Sequence, residues 1–175
     1  MHYPEHKPIS SLVTKAEKQL QEKLPFVLYR KPSEDLVYGI FQKDTSQVAV
    51  KDFSESGFVF TPFNDPNRSI LLRPDEFLSA VYKKEKDSNQ RISLQLPINQ
   101  KERNNFIAIV SKGIDVLKKG IIRKVVLSRK IEVPCTKKSL TIFSDLLERY
   151  SSAFCYCLYH PASGLWVGAT PELLM

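Results

Sequence analysis

Between residues 26 and 73 five short apolar runs recur, each closed by turn-forming residues, and no other feature constrains the fold as much. The runs are FVLYR (26–30), LVYGIFQ (36–42), QVAVKDF (47–53), GFVFTPF (57–63) and SILLR (69–73), with KPSED, KDTS and NDPN among the intervening clusters. β-Branched and aromatic residues bounded by Pro, Asp, Asn and Ser are the pattern of strands joined by tight turns. An antiparallel meander is therefore expected here.

Helical periodicity flanks this region. A first helix is expected from about Ser10 to Leu24, capped by Ser10 or Ser11, striped by Leu12, Val13, Ala16 and Leu20, and stopped by Pro25. A second runs from about Gln100 to Lys119, where Phe106, Ile109, Val110, Ile114 and Leu117 make one core face. Gly120 suits its C-terminal cap, and Lys118 and Lys119 favour the negative end of its dipole. IIRKVVLSRKIEV (121–133) reads as a strand ending at Pro134. Ser139 or Thr141 opens a third helix through about Tyr150, with Ile142, Phe143, Leu146 and Leu147 inward. AFCYCLYH (153–160) and GLWVGA (164–169) read as closing strands joined by the turn PASG. The polar stretch KKEKDSNQR (83–91) suits an exposed loop or frayed helix end. Together these elements predict an α+β fold, an antiparallel sheet with packed helices, and not a doubly wound parallel sheet. No repeat or linker divides the chain, so residues 1–175 are expected to form part of one domain. Its meander-rich N-terminal region would span 1–99, and 100–175 would begin a catalytic core.

Composition narrows the function classes. With 175 residues, 42% of them hydrophobic, the chain can bury a sizeable core. Twenty-six Lys and Arg against 19 Asp and Glu give a net charge of +7. Such a balance admits nucleic acid, an anionic membrane or a small anionic substrate. The lysine pairs at 83–84, 118–119 and 137–138 are scattered and lack interleaved aromatics, so a basic nucleic-acid or partner-binding module is the weaker alternative. There is no signal-peptide core and no apolar run long enough to span a bilayer, and a soluble cytoplasmic protein is expected. Cys135, Cys155 and Cys157 form no zinc spacing and are expected as buried reduced thiols. His2, His6 and His160 form no ligand spacing either; His160 is placed in a turn, and Trp166 and the aromatics of 154–159 in the core. Walker, dinucleotide-binding and nucleophile-elbow motifs are absent.

Two residues stand out chemically. In a strand over 121–133, Ile121, Arg123, Val125, Leu127, Arg129, Ile131 and Val133 share one face, and Lys124 lies on the other. From periodicity alone Lys124 is a surface lysine. Facing a cavity instead, it would lose charge through burial and the nearby Arg123 and Arg129, and could act as a base. Glu172 follows Gly168, Ala169 and Pro171 and precedes Leu173, Leu174 and Met175. A carboxyl group in such apolar surroundings can stay protonated as an acid, whereas an edge-strand Glu in water would not. Gly168 and Ala169 leave room for a ligand near the backbone.

KVVLSR (124–129) and WVGATPE (166–172), with the helix between them, closely resemble the chorismate-utilising enzymes, and among these the isochorismate synthases. The likeness is strong over about 100–175 and lies mostly in layout over 1–99. It implies chorismate as substrate, Lys124 as the base that activates water, and Glu172 as the general acid. Gly168, Ala169 and Thr170 would stand beside the substrate. Relatives that install ammonia typically carry glutamine at the position of Lys124; salicylate synthases carry lysine and are the nearest alternative. The resemblance further implies Mg2+, held by glutamates expected beyond Met175. The apolar ending ATPELLM reads as a cut within β-structure, so this stretch is expected to be the N-terminal part of such an enzyme and inactive alone. Isochorismate would feed menaquinone or siderophore biosynthesis.

Overall fold

The computed structural model describes residues 3–52, 54–83 and 99–170. They divide into two compact units, one formed by 1–89 with 137–175 and the other by 90–136. The division does not fall at residue 99, because the chain from 137 onward returns to the first unit.

In the first unit a six-stranded sheet is built from β1 (Glu5–His6), β2 (Phe26–Arg30), β3 (Leu36–Phe41), β6 (Glu76–Val81), β7 (Phe154–His160) and β8 (Gly164–Thr170). Their order is β1-β6-β3-β2-β7-β8, antiparallel throughout except for the short parallel pairing of β1 with β6. A separate two-stranded sheet joins β4 (Phe58–Phe60) to β5 (Ile70–Leu72). The mixed, mostly antiparallel architecture is the expected α+β class.

Alternation along the strands sorts the core into two layers. Phe26, Leu28, Val37, Phe41, Leu78, Ala80, Cys155 and Cys157 face α1 (Ile9–Gln21) and α3 (Ser139–Arg149), which contribute Leu12, Ala16, Leu140, Phe143 and Leu147. Val27, Ile40 and Leu158 face the other way, onto Ile70, Leu72, Phe58 and Phe60 of the small sheet. Across that second face runs a row of rings: Phe77, Tyr38, Tyr29 and Phe154, with successive centroids 6.0, 5.3 and 5.9 Å apart. Burial, first, and the neighbouring Tyr38 and Glu34 push the Tyr29 phenol up to about 12.

Several expectations are corrected. The simple meander is broken: β3 is flanked by β6, which sequence reading passed over, and 47–52 contributes only a bridge from Val48 to Leu71. Leu78, Ser79 and Ala80 of β6 are all buried, so polar–apolar alternation does not mark this strand. Neither serine caps α1; it begins after Pro8, without a side-chain cap, and ends at Gln21 because Lys23 adopts a left-handed φ of 56°. Gln19 then ties the helix to the sheet, its amide donating to the carbonyls of Pro25 (3.1 Å) and Gln42 (2.9 Å). Trp166 is not core but 49% exposed. His160 is not in a turn: it ends β7, almost fully buried. Cys155 and Cys157 are buried as expected, whereas Cys135 is exposed; none is in a disulfide. The stretch 84–91 lies outside the described residues.

The second unit holds α2 (Gln100–Lys118) and the chain that follows it. Asn99 caps α2, its side chain accepting from the N–H groups of Lys101 (3.1 Å) and Glu102 (3.3 Å). Gly120 takes the left-handed φ of 70° that ends it. Residues 121–133 form no strand, a correction with a simple cause. A strand exists through its ladder, and no described strand pairs with this segment. Part of the segment nevertheless approaches α2. A Cβ on Gly113 would stand 3.4 Å from Val125 and 3.5 Å from Leu127, and the Arg129 guanidinium lies 5.6 Å from the Phe106 ring centre. Only one side of α2 is covered in this way, so Phe106, Val110 and Leu117 are half-buried. Ile109 and Ile114, assigned to the same core face, are 47% and 45% exposed.

Charge divides unevenly between the units. Residues 90–136 carry 10 Lys and Arg against 3 Asp and Glu, while the rest of the chain carries 16 of each, so the second unit holds the whole net charge of +7.

Candidate active site

Lys124 lies in the second unit and is exposed. Arg129 is drawn to Phe106. Neighbouring Lys130 pairs with Glu132 at 2.5 Å, both largely in solvent, an arrangement worth little to stability.

Gly168, Ala169 and Thr170 close β8 in the first unit. Registered against β7, Gly168 pairs with Tyr156 and Ala169 with Cys155. The space over Gly168 is filled from within: a Cβ there would lie 2.7 Å from the Tyr156 hydroxyl and 2.8 Å from its ring. Ala169 points to the helix-covered core. Gly168 thus accommodates Tyr156, a role sequence reading missed although the alternation in FCYCLYH places Tyr156 on that face. Glu172 lies outside the described residues.

Beneath this strand pair sits a buried cation. Arg30 is 4% exposed; Nη1 donates to the Leu147 carbonyl (3.0 Å) and Nη2 to that of Tyr150 (2.5 Å), with Cys155 Sγ at 3.7 Å. It closes the C-terminal end of α3, where orphan carbonyls and the helix dipole favour positive charge. Burial raises the Cys155 thiol above its ordinary value, and Arg30 partly offsets this. Cys157, with no cation beside it, is pushed up to about 12, so neither thiol is a ready nucleophile.

No group of three or more His, Cys, Asp or Glu side chains that could hold a metal ion is present among the described residues. The Mg2+ implied by the resemblance therefore finds no donor set in them. Among the same residues no helix is long and apolar enough to cross a membrane.

The family model for chorismate binding enzyme matches residues 6–175. No curated protein and no solved structure matches the chain. The match runs through both units, through Lys124 and through Glu172. The chain belongs to the chorismate binding enzymes.

Proposed function

We propose that the chain is part of an isochorismate synthase, with Lys124 as the general base and Glu172 as the general acid. The observation that carries this reading is the lysine at 124, standing where ammonia-installing relatives typically carry glutamine. Its amine takes a proton from water as the water oxygen bonds to C2 of chorismate. The ring double bonds shift, the C4–O bond breaks, and Glu172 protonates the departing hydroxyl, which leaves as water. One water is added and one lost, with no net oxidation. Gly168, Ala169 and Thr170 are proposed to border the substrate. Mg2+ belongs to the reading as a cofactor whose ligands lie outside the described residues, and no step is derived through it.

One further feature supports this assignment. The basic unit carries Lys124, and chorismate is a dianion at neutral pH, so the field around the proposed base attracts the substrate. The exposed amine of Lys124 must then be desolvated by the bound substrate or by protein that covers it.

Replacing Lys124 with Ala in the full-length protein tests the base. Isochorismate formation from chorismate with Mg2+ is expected to fall by about 10²–10⁴-fold, with the circular dichroism spectrum unchanged. Unchanged turnover contradicts the assignment. Salicylate as the accumulating product would place the chain with the salicylate synthases instead.

A further inference from the structure

A groove of about 790 Å³ opens on the first unit at the edge of the small sheet, where β4 and β5 meet the β7–β8 turn. Trp166 and Phe60 form its aromatic wall, ring centroids 5.5 Å apart and tilted by 54°, and Ile70 continues the apolar surface. Of the described side chains that line it, Arg68 alone is charged and none is acidic. Asn67 adds an amide beside it. At the other rim the Ser163 hydroxyl oxygen is buried and meets no hydrogen-bond partner among the described residues, while the Ser163 carbonyl accepts from the Trp166 indole at 2.7 Å. The lining does not include Lys124 or residues 168–170.

We infer that this groove is a binding site for a small planar aryl carboxylate. An aromatic wall half open to solvent favours a flat apolar body. A single guanidinium in an otherwise neutral lining selects one negative charge, and its planar fork matches a carboxylate better than a point anion. Volume and composition lie within the range of small-molecule pockets, mostly apolar with few placed polar groups. This inference rests on the first unit alone and is independent of the water-addition reading.

Trp166 is the chain's only tryptophan, so its indole N–H gives a single, self-assigned nuclear magnetic resonance signal. Benzoate is the probe, benzamide its neutral isostere, and Arg68→Gln the variant, an exposed position whose change spares the core. Benzoate is expected to displace the indole resonance saturably. Benzamide, and benzoate with R68Q, should bind at least about tenfold more weakly, the loss of one charge-assisted contact. The free indole signal of R68Q should match that of the unaltered protein. No saturable displacement by benzoate up to about 10 mM overturns the inference. Equal responses to benzoate and benzamide, or in the two proteins, overturn it as well.

Discussion

Arg30 shows how a single residue holds this fold together. Its guanidinium occupies a place where two main-chain carbonyls at the end of α3 converge. Arg30→Met keeps the bulk and removes the donors, so the Leu147 carbonyl loses this partner while the Tyr150 carbonyl keeps the Ala153 N–H at 3.1 Å. It should lower stability by about 1–3 kcal/mol, read as a reduced urea midpoint. Arg30→Lys should recover little, because one ammonium does not reproduce the planar fork. His160 is a second case. Burial holds its pKa below the usual 6.5, so the folded state keeps it neutral, with Nδ1 accepting from the Ala162 N–H at 3.1 Å. As pH falls below 6.5 the unfolded chain takes up the proton first, and stability is lost progressively toward the lower folded value. His160→Asn keeps an acceptor but does not titrate. Its urea midpoint should therefore change less than that of the unaltered protein between pH 7.5 and about pH 5. An equal change in both would show that His160 is not the group responsible.

At the level of elements, β7 and β8 are joined by a turn whose Gly164 takes a left-handed φ of 76°, and their pairing brings Tyr156 across Gly168. The Tyr156 ring is itself packed beside Phe154, centroids 6.2 Å apart, so it cannot swing aside freely. Gly168→Ala should cost about 1–3 kcal/mol by overpacking, measured by denaturant unfolding. The β7–β8 hairpin was legible because both strands have strand-forming residues around an obvious turn, and α2 and α3 because their apolar residues recur at helical spacing, although α3 has no side-chain cap and Ile109 and Ile114 of α2 stay exposed. β6 was not, since burial on both faces erases the alternation that betrays a half-buried strand. Residues 121–133 show the opposite limit. Their alternation is visible in sequence, and Val125 and Leu127 approach α2, but pairing depends on a neighbour that local sequence does not specify. At the candidate site, the residue types at 124 and 168–170 could be read directly. The exposure of Lys124 and the filling of the space over Gly168 depend on tertiary packing and could not.

Across the whole molecule, the main division is electrostatic. A first unit with balanced charge carries the sheet, and a second with all of the net positive charge carries Lys124. For a dianionic substrate this predicts kcat/KM that falls as salt rises while kcat changes little, because screening weakens attraction over distance more than contact chemistry. An unchanged kcat/KM between low and physiological ionic strength would remove the steering role. Family membership covers both units, so the chemistry at Lys124 is the point on which the functional account turns. The most direct measurement is chorismate turnover by the full-length protein with Mg2+ and ammonium in ¹⁸O-labelled water, with products separated and weighed by mass spectrometry. Isochorismate carrying the label in its C2 hydroxyl, with no aminated product, is expected. An amine at C2, or unlabelled oxygen there, would contradict water activation by Lys124.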